Sequence, residues 1–169
     1  MDKFKKYINK IKDITIKEKT QIAVDNLPDY FWEVPASSTG KYHISFSQGA
    51  GGLYRHTTFA VDIALELFNI TKLSNLEKDC IISAVILHDG LKYGKDKGKW
   101  TKKDHDDIMA DWLLEFWDED FDGKDIIINS IRSHNGQWSR IKPNNRIEKL
   151  VHVVDYLGSR KFYDEYYGV

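Results

Sequence analysis

The chain has 169 residues, enough for one domain with a sizeable core and too few for two ordinary domains joined by a linker. Hydrophobic residues make up 41% and aromatics 13%, which excludes a disordered chain. With 25 basic against 26 acidic residues the net charge is -1, so no global field holds a long nucleic acid or an anionic membrane, and any polyanion must be gripped locally.

Phe4, Tyr7, Ile8, Ile11 and Ile14 recur at helical spacing among lysines and predict an opening basic amphipathic helix that packs on the main body. This N-terminus lacks the apolar run and cleavage site of a secretory signal, and no stretch of the chain approaches membrane-spanning length. From Asn26 to Leu53 periodicity is lost and Pro28, Pro35, Gly40, Gly49, Gly51 and Gly52 collect, the composition of a long, ordered but irregular connection. Within it Ser38-Thr39-Gly40-Lys41 is not a phosphate-binding P-loop: the first glycine is missing and Tyr42 stands where the magnesium-binding hydroxyl belongs.

Five segments then carry apolar residues every three or four positions: His56 to Phe68, Leu76 to Asp89, Asp104 to Phe116, Asp125 to His134 and Arg146 to Tyr156. No alternating strand pattern competes with them, so the expected class is all-α, a single compact helical bundle. Ser74-Asn75-Leu76-Glu77 has the spacing of a capping box, and Thr101-Lys102-Lys103-Asp104 resembles a second helix start. The lone Cys80 lies in an apolar helical run, which excludes an internal disulfide and suits a reducing, cytoplasmic setting. We expect one domain over residues 1–169, with a motif-bearing core at 53–161 and residues 1–52 packed on it.

The doublet His88-Asp89 closes the apolar run from Ile81 to Leu87 and is followed by Gly90. Imidazole nitrogen and carboxylate oxygen both ligate divalent transition metals, and adjacent residues at a helix end can converge on one ion. His56 opens one predicted helix. His105 lies on the face of Ile108, Met109 and Trp112, and His134 follows Ile127 and Ile131. Asp155 continues the stripe of Ile147, Val151 and Val154, where a carboxylate is costly unless paired or metal-bound. Any one of these alone is more readily a hydrogen-bonded core residue; one shared metal site explains them together. His43 either lines that site or packs locally, and His152 either supports a ligand or lies at the surface.

The order His56, His88-Asp89, His105, His134, Asp155 resembles the HD superfamily of metal-dependent phosphohydrolases, with supporting runs Gly51-Gly52-Leu53-Tyr54-Arg55-His56-Thr57, His88-Asp89-Gly90-Leu91-Lys92 and Leu150-Val151-His152-Val153-Val154-Asp155-Tyr156. The resemblance implies that His56, His88, Asp89 and Asp155 hold a first metal. His105 and His134 are similar to the binuclear branch, where such histidines hold a second ion and the doublet's aspartate bridges the two. The single-metal nucleotidase branch carries a glutamate where Lys92 stands, which argues against a simple deoxynucleotide 5′-phosphatase. Some binuclear members have a second histidine where this chain has Asn135.

The expected cofactor is therefore one or two divalent transition metal ions, drawn from Mn, Fe, Ni, Co or Zn. Such ions acidify bound water and neutralise a phosphoryl group, so the expected reaction is hydrolysis of phosphoester bonds in nucleotides or short oligonucleotides. Asp89 would orient the water and Lys92 would place a positive charge on a nonbridging oxygen. Arg132, Arg160 and Lys161 offer further phosphate contacts, and Trp100 and Trp138 offer base stacking. A small nucleotide or phosphodiester is favoured over long nucleic acid, and no membrane partner is expected. The competing readings are a catalytically silent nucleotide- and metal-binding module, a 3′-end-directed exonuclease, and a structural metal in an interaction protein, the last disfavoured because structural zinc leans on thiolates.

Overall fold

The computed structural model describes residues 4–41, 43–162 and 164, so Met1 to Lys3 and Tyr42 lie outside the described residues. Among these there are seven α-helices and no strand: α1 (Lys5–Ile8), α2 (Ile14–Asp25), α3 (Gly52–Leu67), α4 (Asn75–Leu87), α5 (His105–Phe116), α6 (Lys124–Arg132) and α7 (Arg146–Ser159). The axis of the bundle is α4. Every residue from Asp79 to Leu87 is buried, which is the signature of a helix apolar on all sides, and α2, α3, α6 and α7 pack around it. Its start is the expected capping box, with the Ser74 hydroxyl accepting from Glu77 N–H and the Glu77 carboxylate accepting from Ser74 N–H. Its other end delivers His88 and Asp89 into the middle of the molecule.

Packing is close beyond the doublet too. A Cβ at Gly90 would stand 2.6 Å from Leu27 Cδ2 and 2.9 Å from Met109 Sδ, so an added side chain would require those two side chains to shift.

Two helix starts differ from expectation. The opening segment is not one helix: α1 ends at Ile8 and α2 begins at Ile14. The break is made by Asp79 on α4, whose carboxylate accepts from the backbone N–H of Lys12 at 3.1 Å and of Asp13 at 2.8 Å, while Asp13 itself caps α2 through Ile16 N–H at 2.9 Å. Helix α5 starts at His105 after Asp104, without a side-chain cap. Thr101 is drawn away instead, its backbone N–H donating to the Ser38 hydroxyl at 3.3 Å.

The irregular connection is pinned by Arg55 on α3, which donates to the carbonyls of Phe46 and Gln48 at 2.7 Å and of Ala50 at 2.8 Å. Short 3₁₀ turns at Asp29–Trp32 and Ser45–Ser47 give it its remaining regularity.

Candidate metal centre

Five helices and their ends bring the expected ligand residues to one place. His56 comes from α3, His88 and Asp89 from the end of α4, His105 from the start of α5, His134 from just beyond α6, and Asp155 from α7. Two groups of ligand atoms, each within 4.8 Å of one another, could hold a metal ion: His56, His88, Asp89 and Asp155 form the first, and Asp89, His105 and His134 the second.

Asp89 belongs to both groups, and its two oxygens divide between them. Oδ2 lies 3.3 Å from His88 Nε2 and 3.7 Å from His56 Nε2, whereas Oδ1 lies 3.0 Å from His105 Nε2 and 3.6 Å from His134 Nε2. Asp155 Oδ1 completes the first group at 2.9 Å from His56 Nε2 and 3.4 Å from His88 Nε2.

Three of the histidines are oriented by the backbone in one way. The Nδ1–H of His88 donates to Val85 C=O, that of His105 to Lys102 C=O and that of His134 to Ile131 C=O, each at 2.7 Å. A carbonyl only accepts, so the proton is on Nδ1 and each Nε2 faces the cluster. The acceptors are carbonyls three residues back, at helix ends or just before a helix. Such orientation of a ligand by its other nitrogen is what metal-binding imidazoles require. His152, on α7, fixes the next turn in a similar way: it donates from Nδ1 to His134 C=O at 2.8 Å, and its ring lies against Gly136, whose φ is +60° and whose Cβ would stand 2.2 Å from the ring.

The cluster suits a cation. His105 Nε2 and His134 Nε2 are 3.2 Å apart, two lone pairs directed at each other when both rings are neutral. His88 Nε2 and Asp89 Oδ1 are buried without any hydrogen-bond partner. Orphaned polar atoms of this kind are rare in native structures, and a divalent ion would satisfy them all. Burial alone would push the His88 imidazole down, but the carboxylates of Asp89 and Asp155 overcome it and raise its pKa to about 10. Burial likewise opposes ionisation of Asp89, yet Lys92 and His88 hold its carboxyl well below the usual range. His134 is lowered by its burial and stays neutral, the form that ligates.

Asp155 is the most exposed member, with 16% of its side chain accessible, because it faces a cavity of about 450 Å³. Lys92 lines the same cavity and donates to Asp89 Oδ2 at 2.5 Å. Trp138, 63% exposed, stands at its mouth with Tyr156 and Arg160, whose guanidinium stacks 4.2 Å over the Tyr156 ring.

Not every residue expected at the site is there. Arg132 is turned away: it pairs with Asp107 at 3.0 Å and Asp111 at 2.6 Å on α5, and it does not line the cavity. Neither Trp100 nor Lys161 lines it. Conversely, Ser159 and Asn135 belong to the wall, with Asn135 Nδ2 3.4 Å from His105 Nε2. Ser159 was legible in principle, since it lies four residues after Asp155 and therefore on the same face of α7.

The family model described as HD domain matches residues 53–159, the span that contains every member of both groups. The chain belongs to the HD domain family. That family consists mostly of metal-dependent hydrolases, and the paired histidine and aspartate groups of this HD domain are the atoms through which it could hold a metal. No curated protein and no solved structure matches the chain. No helix among the described residues is long and apolar enough to cross a membrane.

Proposed function

We propose that this HD domain is a metal-dependent phosphohydrolase or phosphodiesterase acting on nucleotides or short oligonucleotides. The observation that carries the reading is the opening of the cavity directly onto Asp155 and Lys92, with Trp138, Tyr156 and Arg160 at its mouth. An anionic reacting group would meet the cluster and a fixed cation at the inner end, while a planar base would have aromatic faces at the outer end. When bound, divalent ions supply an acidified water and neutralise charge on the phosphoryl group.

In this reading His56, His88, Asp89 and Asp155 would hold one ion, and His105 and His134, together with Asp89, would hold a second. Asp89 would also orient the attacking water. Lys92 supplies positive charge to a nonbridging oxygen as charge builds there, at a distance its own tether to Asp89 fixes. Arg160 and Trp138 position the remainder of the substrate.

One observation favours the silent binding module instead: Lys92 already occupies Asp89 Oδ2, the oxygen that faces the first group. The two readings separate in one assay. Purified protein loaded with Mn²⁺, Fe²⁺, Ni²⁺ or Mg²⁺ is offered a panel of nucleoside mono- and triphosphates and short phosphodiesters. Release of phosphate or nucleoside with at least one metal is expected; binding of nucleotide without turnover under all four would sink the enzyme reading.

A further inference from the structure

The irregular connection places one residue in the cavity that neither the ligand cluster nor the aromatic mouth accounts for. His43 is only 8% exposed, and both of its ring nitrogens are buried without a hydrogen-bond partner. Its ring meets His56 edge-on with centroids 4.8 Å apart, a ring contact that leaves both nitrogens unspent. His43 also stands outside both groups of clustered ligand atoms, so ligation of the proposed ions does not explain it.

The backbone around it is fixed. Gln48 Nε2 donates to the carbonyls of His43 at 2.9 Å and Gly40 at 3.2 Å, beside the stretch that Arg55 clamps. An imidazole carries at least one N–H in any protonation state, and leaving it buried and unmade forfeits the hydration of that group. The ring lines the cavity together with Lys92 and Asp155, at the buried end remote from the exposed Trp138. A partner there must accept a hydrogen bond and must tolerate the Lys92 cation, which describes an anionic oxygen.

We propose that His43 is a substrate-binding residue of this cavity, its ring N–H donating to a nonbridging oxygen of the phosphoryl group of a nucleotide whose base reaches the aromatic mouth. The assignment rests on the phosphoester reading of the same cavity. His43 and Lys92 then hold one phosphoryl group from two sides, the first by a directed hydrogen bond and the second by charge.

The test uses the full chain loaded with Zn²⁺, the hydrolysis-resistant phosphonate analogue of AMP as probe, and two variants. His43→Phe keeps the ring and its contact with His56 but removes the nitrogens; His43→Gln keeps a donor. Metal content should equal the wild type in both, while the analogue's Kd should rise about ten- to a hundredfold in His43→Phe and less in His43→Gln. In the wild-type protein, the ring nitrogen resonances of His43 should shift on adding the analogue, a readout that stands even where a variant does not fold. Binding by His43→Phe within twofold of wild type, loss of metal in step with affinity, or unmoved His43 resonances at saturation would each overturn the inference while leaving the phosphoester reading intact. A wild-type protein that neither binds the analogue nor hydrolyses any phosphoester would overturn both.

Discussion

The two ends of the cavity are built by opposite rules. At the inner end the six clustered histidine and aspartate residues come from helices or their ends, and three imidazoles are turned by backbone carbonyls so that each Nε2 has one direction. At the mouth Trp138 is 63% exposed and Arg160 leans on its neighbours Tyr156 and Ser159. The contrast teaches where precision is spent: the ligand atoms are preorganised by the fold itself, whereas the mouth can change without disturbing them. Substitutions should accordingly act all-or-none at one end and by degrees at the other.

The largest effect is expected for Asp89→Asn. The side chain keeps its shape but loses the charge that both groups share, so turnover should fall about a thousandfold or more. Turnover measured beside metal content and helical circular dichroism checks this, and near-normal activity in a folded variant would break the comparison at its centre. Next come His105→Ala and His134→Ala, each expected to lose one equivalent of metal and on the order of a hundredfold in activity while the first group stays loaded. Retention of full metal and full activity by both would reduce the pair to core residues and favour a single-ion site.

Lys92→Met should cost about ten- to a hundredfold in kcat, with metal content undiminished because the competitor for Asp89 Oδ2 is gone. A variant that instead loses its metal would make Lys92 a support of the ligand cluster.

Acidity offers a graded test of the inner end. His88 has a folded pKa near 10, above its ordinary 6.5, so in the metal-free protein its proton stabilises the fold below about 6.5 and that contribution is lost as pH rises through about 10. A metal must displace this proton. Metal affinity should therefore rise with pH by about tenfold per unit below 10, and the gain in Tm on adding metal should grow from pH 6 to pH 9. Calorimetric titration in buffers of different ionisation enthalpy reads the released proton directly; affinity independent of pH would contradict the assigned protonation. The smallest effect belongs to the mouth, where Trp138→Ala should raise KM roughly fivefold and leave kcat unchanged, as for one exposed stacking contact.

How much of this was legible in the sequence follows from where the determining contacts lie. The convergence of the candidate ligand residues could be read because apolar stripes force them inward: Asp155 shares a face with Val151, and His134 follows Ile131, whatever the rest of the chain does. The break between α1 and α2 could not, because its cause, Asp79, lies 66 residues beyond the Asp13 N–H that it holds. Arg132 shows the same limit, since the side chains that claim it, Asp107 and Asp111, sit on another helix. The carbonyl partners of the histidines are local in sequence yet invisible to periodicity, which reports burial and not the direction of a ring nitrogen. His43 lay in a segment with no periodicity at all, so its place in the cavity wall came only with the folded loop.

The central proposal is that one carboxylate would serve two metal ions, since its Oδ2 faces His56 and His88 and its Oδ1 faces His105 and His134. Anomalous diffraction from crystals soaked in Mn²⁺ tests it most directly. The account predicts two anomalous peaks, one on each side of the Asp89 carboxylate, each contacted by its own histidine pair. A single peak held by His56, His88, Asp89 and Asp155, with no ion between His105 and His134 in the fully loaded crystal, would contradict it.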